Sequence, residues 1–164
     1  MRIGYGFDSH EFRPGIALKI GGIALAHDQG LGGHSDGDVL LHAITDALLG
    51  AIAAPDIGAL FPPSDPKWKG ADSVIFLREA LKRVSDAGYT IANIDSSLIL
   101  AAPKIGPHAA AIRTRVAELM GLPCDCVGLK AKTPEGLNLD NAAIAQVVVL
   151  LEKKPRRKKK SAKK

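Results

Sequence analysis

Hydrophobic residues recur at helical spacing after Ser35, and this pattern predicts the first helix of the chain. The apolar positions are Val39, Leu41, Ile44, Leu48 and Ile52. Ser35 can cap the helix, and Asp38 follows three residues later, as in a capping box. We therefore expect a helix from about Asp36 to Ala53, ending before Pro55.

The remaining pattern alternates between strands and helices. A second helix follows the cap Asp72 and stops at Gly88, and a third covers residues 107–120. Strands are predicted at residues 2–7, 17–25, 89–100, 127–131 and 143–151. The pair Gly21-Gly22 interrupts the second strand and indicates a turn or bulge. We expect an α/β fold: a single-domain sheet built from βαβ units, with helices packed on one face.

Length and composition indicate one domain and no membrane segment. The chain has 164 residues, of which 46% are hydrophobic, and this is enough for a single core. Its apolar stretches fall far short of the roughly 20 residues that cross a bilayer, and the N-terminus lacks the pattern of a secretory signal. We expect a cytoplasmic protein without membrane contact.

The positive charge is concentrated at the C-terminus. Of 22 basic residues, nine lie from Lys153 onward, so residues 1–152 hold 13 basic and 17 acidic residues, a net charge of −4. We divide the chain into a domain over residues 1–152 and a disordered basic tail over residues 153–164. The tail is either a solvating extension or a nonspecific contact for RNA or a membrane surface. The acidic body argues against a nucleic-acid-binding domain.

Three residues are candidate metal ligands. Asp8 and His10 are one residue apart, so on an extended segment their side chains leave from the same side. His42 lies on the first predicted helix, where Asp38 and Asp46, one turn before and after it, could orient its ring. One carboxylate and two imidazoles leave a fourth tetrahedral position open, as in catalytic zinc sites. A solvent-facing polar stripe would explain the His42 segment alone equally well.

Two loops carry further polar groups. Residues 56–66 form a proline-dense loop with two carboxylates and an aromatic, which is either a lid over a substrate hydroxyl or an ordinary surface loop. Residues 130–136 combine lysines, Thr133 and Glu135, which could hold phosphate and Mg²⁺. A capped turn with surface lysines is the alternative for this second loop.

The chain resembles the 2-C-methyl-D-erythritol 2,4-cyclodiphosphate synthase family of the non-mevalonate isoprenoid pathway. The motifs of that family occur together in this sequence and in the same order. The resemblance covers about residues 1–152. The motifs that carry it are Gly6-Phe7-Asp8-Ser9-His10, His34-Ser35-Asp36-Gly37-Asp38, His42-Ala43 with Asp46-Ala47-Leu48-Leu49-Gly50, Asp56-Ile57-Gly58, Phe61-Pro62, Lys69-Gly70-Ala71-Asp72-Ser73 and Lys130-Ala131-Lys132-Thr133.

The resemblance implies a metal-dependent phosphorus–oxygen lyase. It would convert 4-diphosphocytidyl-2-C-methyl-D-erythritol 2-phosphate into 2-C-methyl-D-erythritol 2,4-cyclodiphosphate and release CMP. The 2-phosphate of the substrate would attack the β-phosphate without a covalent enzyme intermediate. Zinc or another divalent metal would bind Asp8, His10 and His42, and Mg²⁺ or Mn²⁺ would bind Glu135. The assembly would be a homotrimer with active sites between subunits.

The resemblance also implies which residues contact the cytidine-diphosphate-linked substrate. His34 and Thr133 would be catalytic and stabilise the transition state. Residues 56–58 would bind the methylerythritol part, and residues 100–106 the cytidine part. The full substrate-binding set would be Asp8, His10, His34, Ser35, Asp56, Ile57, Gly58, Phe61, Pro62, Pro63, Ser64, Asp65, Leu100, Ala101, Ala102, Pro103, Lys104, Ile105, Gly106, Lys132, Thr133, Pro134 and Glu135.

The segment after Glu135 departs from the family pattern. Many members carry a glycine-rich stretch there, with an aromatic and an arginine that assist phosphate binding. Here Leu139 and Ala142 cannot make those contacts, so phosphate neutralisation would depend on Lys132, another basic group or the metals. Two other functions stay open from the residues alone: a zinc phosphohydrolase that activates water at the open metal position, and a nucleic-acid-binding protein that acts through its tail.

Overall fold

A five-stranded sheet with helices against it forms the centre of the computed structural model, which describes residues 1–155. The elements are β1 (Arg2–Pro14), β2 (Leu18–Ile20), β3 (Ile23–Leu25), β4 (Gln29–Leu31), α1 (Val39–Ala51), α2 (Ile57–Leu60), α3 (Ser73–Asp86), β5 (Tyr89–Ile99), α4 (Ala109–Met120), β6 (Val127–Lys132) and β7 (Ala142–Lys153). Three short 3₁₀ turns lie at Pro66–Trp68, Gly106–His108 and Cys124–Cys126. No helix among these residues is both long and apolar enough to cross a membrane.

The strand order in the main sheet is β4-β1-β7-β5-β6. Strand β7 is antiparallel to both of its neighbours, β1 and β5, whereas β5 and β6 are parallel and are joined through α4. The segment β5-α4-β6 is thus a βαβ unit, while α1 and α3 connect β1 to β5, which are separated by β7. Strands β2 and β3 form a separate hairpin, whose turn is Gly21-Gly22 with φ of 63° and 77°.

The two faces of the sheet differ in their surroundings. On β7 every second residue is fully buried beneath the helices, namely Ala143, Ala145, Val147, Val149 and Leu151. The opposite face carries an exposed apolar row: Ile3, Tyr5, Phe7 and Val148 are 71%, 58%, 48% and 45% exposed. The helices therefore cover one face, and the single chain leaves hydrophobic side chains uncovered on the other.

Helix α1 lies directly on β1 because two glycines leave room for its backbone. A Cβ atom at Gly4 would lie 1.8 Å from the carbonyl oxygen of Ala47, and one at Gly6 would lie 1.9 Å from that of Ala43. These distances are far inside van der Waals contact, so no other residue type fits without moving the helix. Because Gly4 lies against Ala47 and Gly6 lies against Ala43, α1 runs antiparallel to β1.

The first helix begins later than its sequence pattern predicts. It starts at Val39, and Asp38 rather than Ser35 is its N-cap. The fully buried Asp38 carboxylate accepts hydrogen bonds from the backbone N–H groups of Leu41, Gly21 and Gly22 at 3.0, 2.9 and 2.6 Å. Burial raises the pKa of Asp38, and these three donors oppose that shift by stabilising the anion. The predicted cap was wrong because the β2–β3 turn supplies two donors that local spacing does not reveal.

The other predicted elements are present and differ mainly at their ends, whereas the short elements β4 and α2 were not predicted. The cap at Asp72 is confirmed, and α4 ends at Gly121 with φ of 66°. Strand β1 extends to Pro14, seven residues beyond the predicted end. At the C-terminus, Lys153 lies in β7, and Lys154 Nζ donates to the carbonyl of Ser85 at 2.9 Å. These two lysines belong to the fold rather than to the predicted tail, and residues 156–164 of that tail lie outside the described residues.

The contact between α1 and β1 leads to a stability prediction. Gly6→Ala should lower the free energy of unfolding by roughly 1–3 kcal/mol or more, because its Cβ would overlap the backbone of α1. Gly50→Ala is a matched control on α1, since its Cβ would meet only the Tyr5 oxygen at 3.7 Å. That control should leave stability unchanged or raise it by up to about 1 kcal/mol. Urea unfolding measures both, and equal stability of the two variants would contradict the close contact.

Candidate active site

Strand β1 and helix α1 bring three distant ligand atoms together. Asp8 Oδ2 lies 2.9 Å from His10 Nε2 and 3.0 Å from His42 Nδ1, and the two nitrogens are 3.1 Å apart. Asp8 and His10 continue the helix-facing side of β1, two and four residues beyond Gly6, so they meet α1 near its N-terminus. Among residues 1–155, no other group of three or more His, Cys, Asp or Glu side chains is close enough together to hold a metal ion.

The triangle of ligand atoms fits a tetrahedral metal ion. Zinc–ligand bonds of about 2.0–2.1 Å separate neighbouring ligand atoms by about 3.3 Å in an ideal tetrahedron. The observed edges of 2.9, 3.0 and 3.1 Å are close to that size. One ion can therefore contact Asp8, His10 and His42, with a fourth position left open, and two imidazoles with one carboxylate are a donor set that zinc accepts.

The ionisation of the group follows from its mutual contacts. Burial alone would raise the pKa of Asp8, but hydrogen bonds and charge attraction from His10 and His42 outweigh it and lower the pKa from 3.8 to about 2. Burial lowers the pKa of His10, and the hydrogen bond and charge of Asp8 overcome this, so the pKa is raised. Asp8 is therefore an anion at any pH near neutrality.

The residues that hold the His42 ring are not the two carboxylates expected from helical spacing. Asp38 caps α1, and Asp46 accepts a hydrogen bond from the Ile57 N–H at 2.8 Å, so both predictions were wrong. The His42 Nε2 atom instead lies 2.9 Å from Ser35 Oγ and 2.8 Å from Ser73 Oγ. Ser73 lies in the motif at residues 69–73 of the sequence, but nothing in its local pattern links it to His42.

A pocket of about 190 Å³ opens beside His10 and His42. The predicted substrate-binding residues that line it are His34, Ser35, Ile57, Gly58, Phe61 and Pro63. Trp68 and Phe76 line it as well, and sequence reasoning missed both. Their rings pack with Phe61 at centroid distances of 5.0 and 4.6 Å, forming an aromatic wall. The His34 Nε2 atom is buried without a hydrogen-bond partner among the described residues, which leaves it available to a ligand.

A second cavity of about 500 Å³ lies at the end of β6, the strand at the opposite edge of the sheet from β4. Its predicted lining residues are Leu100, Pro103, Lys104, Ile105, Gly106, Lys132, Thr133 and Glu135. The Glu135 carboxylate accepts a hydrogen bond from the Thr133 hydroxyl. Glu135 supplies only one carboxylate to this cavity. Mg²⁺ could bind there only if substrate phosphates and water supplied its other ligands.

Eight residues of the predicted substrate-binding set line neither cavity: Asp8, Asp56, Pro62, Ser64, Asp65, Ala101, Ala102 and Pro134. Asp8 belongs to the group with His10 and His42, and two of the others have local structural partners. Asp56 caps α2 through the Ala59 N–H at 2.8 Å, and Asp65 pairs with Lys67 at 2.8 Å. Their position between or beside lining residues still keeps their backbone near the two cavities.

The two cavities lie at the same level of the sheet but on strands that are not neighbours. Ser9 on β1 pairs with Ile144, Ile144 pairs with Ile99, and Ile99 pairs with Lys132 on β6. Three strand spacings separate β1 from β6, or about 14 Å. Within one chain, the Asp8–His10–His42 group and Thr133 are therefore too far apart to contact the same phosphate.

Comparison with known proteins identifies the family. The model of the YgbB family matches residues 1–152. The chain belongs to the YgbB family. A YgbB relative from Koribacter versatilis, named 2-C-methyl-D-erythritol 2,4-cyclodiphosphate synthase, is 67% identical over 154 residues, covering 94% of this chain and 99% of the relative. The chloroplastic synthase of Arabidopsis thaliana is 52% identical over 93% of this chain and 68% of its own length.

Solved structures agree with this assignment. A 2C-methyl-D-erythritol-2,4-cyclodiphosphate synthase structure matches with a TM-score of 0.87 and 46% identity, covering 92% of this chain and all of the other. A CDP-bound form matches with a TM-score of 0.87, 45% identity and the same coverage. The resemblance found in the sequence is confirmed, and so is the mixed α/β fold. The YgbB relatives are named as synthases, and this chain is accordingly an enzyme of that family.

The lowered pKa of Asp8 predicts a pH-dependent stability of the metal-free protein. Because the folded pKa of about 2 lies below the unfolded value of 3.8, the stabilisation is complete above about pH 5 and is lost as the pH falls towards 2. Asp8→Asn should therefore remove about 2 kcal/mol of the unfolding free energy at pH 5.5 and little at pH 2. Urea unfolding of chelator-treated protein at both pH values measures this. Asp28→Asn, at a side chain that is 87% exposed, is the control and should change neither value.

Proposed function

We propose that this chain is a metal-dependent phosphorus–oxygen lyase that cyclises 4-diphosphocytidyl-2-C-methyl-D-erythritol 2-phosphate. The products would be 2-C-methyl-D-erythritol 2,4-cyclodiphosphate and CMP. The observation that carries the proposal is the Asp8–His10–His42 triangle beside a pocket lined by His34 and Ser35, in a chain of this family. We place the reaction in the cytoplasm.

The reaction requires positioning and charge neutralisation rather than a protein nucleophile. An oxygen of the 2-phosphate forms a bond to the β-phosphorus, and the bond from the β-phosphorus to the bridging oxygen breaks, so that CMP leaves with the electron pair. Asp8, His10 and His42 would hold zinc or another divalent metal ion, which would supply positive charge to the phosphate oxygens. His34 has a free ring nitrogen that can hydrogen-bond a phosphate oxygen, and Thr133 offers its hydroxyl from the second cavity.

The second cavity suits the cytidine diphosphate end of the substrate. Its loop at residues 100–106 offers backbone groups to a base, and Lys132 carries a cation at its edge. The CDP-bound form of a related synthase supports a CDP-linked substrate. Glu135 would hold Mg²⁺ or Mn²⁺ together with the diphosphate oxygens, since these ions keep water and phosphate among their ligands.

The segment after Glu135 leaves phosphate contacts to other groups. Glu135, Gly136 and Asn138 have φ of 49°, 79° and 55°, so the chain turns sharply there, and Leu137 is 71% exposed. No arginine lies in residues 136–142. Lys104 and Lys132 both line this cavity, and we assign phosphate neutralisation to Lys132 and the metals.

We further propose that the enzyme acts as a homotrimer with each site shared by two subunits. The separation of about 14 Å between β1 and β6, which carry the residues of the two cavities, supports this, because one phosphate must reach both His34 and Thr133. The exposed apolar row on β1 and β7 supports it as well, since an uncovered face of this kind marks an interface. A cyclic arrangement would place the first cavity of one subunit against the second cavity of the next.

Turnover of the diphosphocytidyl substrate tests the proposed reaction. The full-length protein should release CMP and the cyclic diphosphate, and a chelator should abolish this. His42→Ala should lose bound zinc and nearly all turnover, since two ligands remain of three. His27→Ala, whose ring contacts the Gln29 backbone outside the pocket, should keep both. A linear product with inorganic phosphate would make the protein a phosphohydrolase, and full zinc occupancy in His42→Ala would remove His42 from the site.

Mixed assemblies test whether sites are shared. His42→Ala and Thr133→Ala should each be nearly inactive as pure proteins. Unfolding and refolding them together at equal amounts should restore about one quarter of wild-type turnover, because about one site in four then combines an intact His42 with an intact Thr133. Each variant treated alone in the same way is the control. Absence of recovery in oligomers shown to be mixed would place the complete site within one chain.

A further inference from the structure

Ser73 and Asp36 lie behind His42, on the side away from Asp8 and His10. Ser73 is the first residue of α3 and is fully buried. Its Oγ lies 2.8 Å from His42 Nε2 and also forms a short hydrogen bond with Asp36 Oδ1. On the far side of Asp36, the Lys19 ammonium lies 3.1 Å from Oδ2. These groups form a continuous chain from β2 through the loop before α1 to the ring of His42.

The direction of the hydrogen bonds in this chain is fixed at Asp36. Its carboxylate accepts from Lys19 and from the backbone N–H of Ser73 at 3.2 Å, so donors surround it. A carboxylate only accepts, and a serine hydroxyl has a single hydrogen to donate. Ser73 therefore donates to Asp36 and can only accept from His42, which favours a hydrogen on Nε2 of the ring. The Asp8 carboxylate, 3.0 Å from Nδ1, competes for that hydrogen when no metal ion is bound.

We propose that Ser73, oriented by Asp36 and Lys19, is a positioning residue that fixes the Nε2–H tautomer of His42 and keeps the Nδ1 lone pair free for a metal ion. This inference rests on the metal site proposed above. It gives a physical role to the ion pair between the largely buried Asp36 and the partly exposed Lys19: the carboxylate reaches the imidazole through a hydroxyl instead of directly. Hydrogen-bonding partners behind a metal-bound histidine fix its tautomer and ring orientation in this way.

Ser35 cannot perform the same task. Its Oγ lies 2.9 Å from the same Nε2, but its hydroxyl has no second hydrogen-bond partner among residues 1–155. It can donate to His42 or accept from it, so it does not choose between the tautomers. Because Ser73 accepts the Nε2 hydrogen, the hydroxyl hydrogen of Ser35 is free to point into the pocket, towards a substrate oxygen.

Two variants of the full-length protein test the inference. Ser73→Ala should weaken zinc binding by about 10–100-fold, measured by competition with a chromophoric chelator. In the metal-free protein, ¹⁵N NMR of the His42 ring should show a smaller share of the Nε2–H tautomer in Ser73→Ala than in the wild type, because the Asp8 carboxylate then accepts the ring hydrogen at Nδ1 without competition from Ser73. Asp36→Asn should shift the ring towards Nδ1–H, because the new amide can donate to Ser73 and let its hydroxyl donate to His42.

The control is a buried hydroxyl on α1 that does not touch the site. Thr45 Oγ1 is fully buried and donates to the Leu41 carbonyl at 2.8 Å, so Thr45→Val should leave the zinc affinity and the tautomer unchanged. Unchanged zinc affinity and tautomer in Ser73→Ala would overturn the inference. Failure of the wild type to bind zinc would instead refute the metal site itself, and the difference in ring tautomer between the metal-free wild type and Ser73→Ala would still show whether Ser73 favours Nε2–H.

Discussion

The backbone contact between β1 and α1 is the constraint on which the rest of the molecule depends. Gly4 and Gly6 allow the helix to lie directly on the strand, because a methyl group at either position would overlap a carbonyl oxygen of α1. The same face of β1 continues into Asp8 and His10, and the same helix carries His42 one turn from its start. The short distance between the backbones of β1 and α1 therefore has two effects. It allows the helix to pack on the sheet, and it brings the ligand atoms of Asp8, His10 and His42 within about 3 Å of one another.

Two aspartates in the loop before α1 have different roles: Asp38 stabilises the fold, and Asp36 supports the candidate site. Asp38 accepts three backbone N–H groups and joins the β2–β3 turn to the helix, so it fixes where α1 starts. Asp36 binds Lys19 and Ser73 and so connects the same region to α3. The position of His42 therefore depends on both aspartates. Asp38 fixes the start of the helix that carries His42, and Asp36 orients the Ser73 hydroxyl that contacts its ring.

The sequence predicted what depends on local spacing and missed what depends on packing. Helical periodicity and capping residues located α1 and α3, Pro107 and Gly121 located α4, and the Asp-x-His spacing located two ligand candidates on one side of β1. Spacing also suggested Asp38 and Asp46 as partners of His42, but both carboxylates bind backbone groups instead. Ser73 lies 31 residues from His42, and only the packing of α3 against α1 brings them together. Strand order is equally nonlocal, so the separation of the two cavities could not be predicted.

Strand β1 carries two unrelated surfaces on alternate residues. Gly4, Gly6, Asp8 and His10 face the helix, while Ile3, Tyr5 and Phe7 face outward. Inserting or deleting a single residue early in this strand would exchange the two sets, putting aromatic side chains against α1 and the Asp8–His10 pair on the outer face. Amino-acid replacements can be absorbed one position at a time, but the length of β1 before His10 cannot vary without losing the core, the outer surface and the ligand group together.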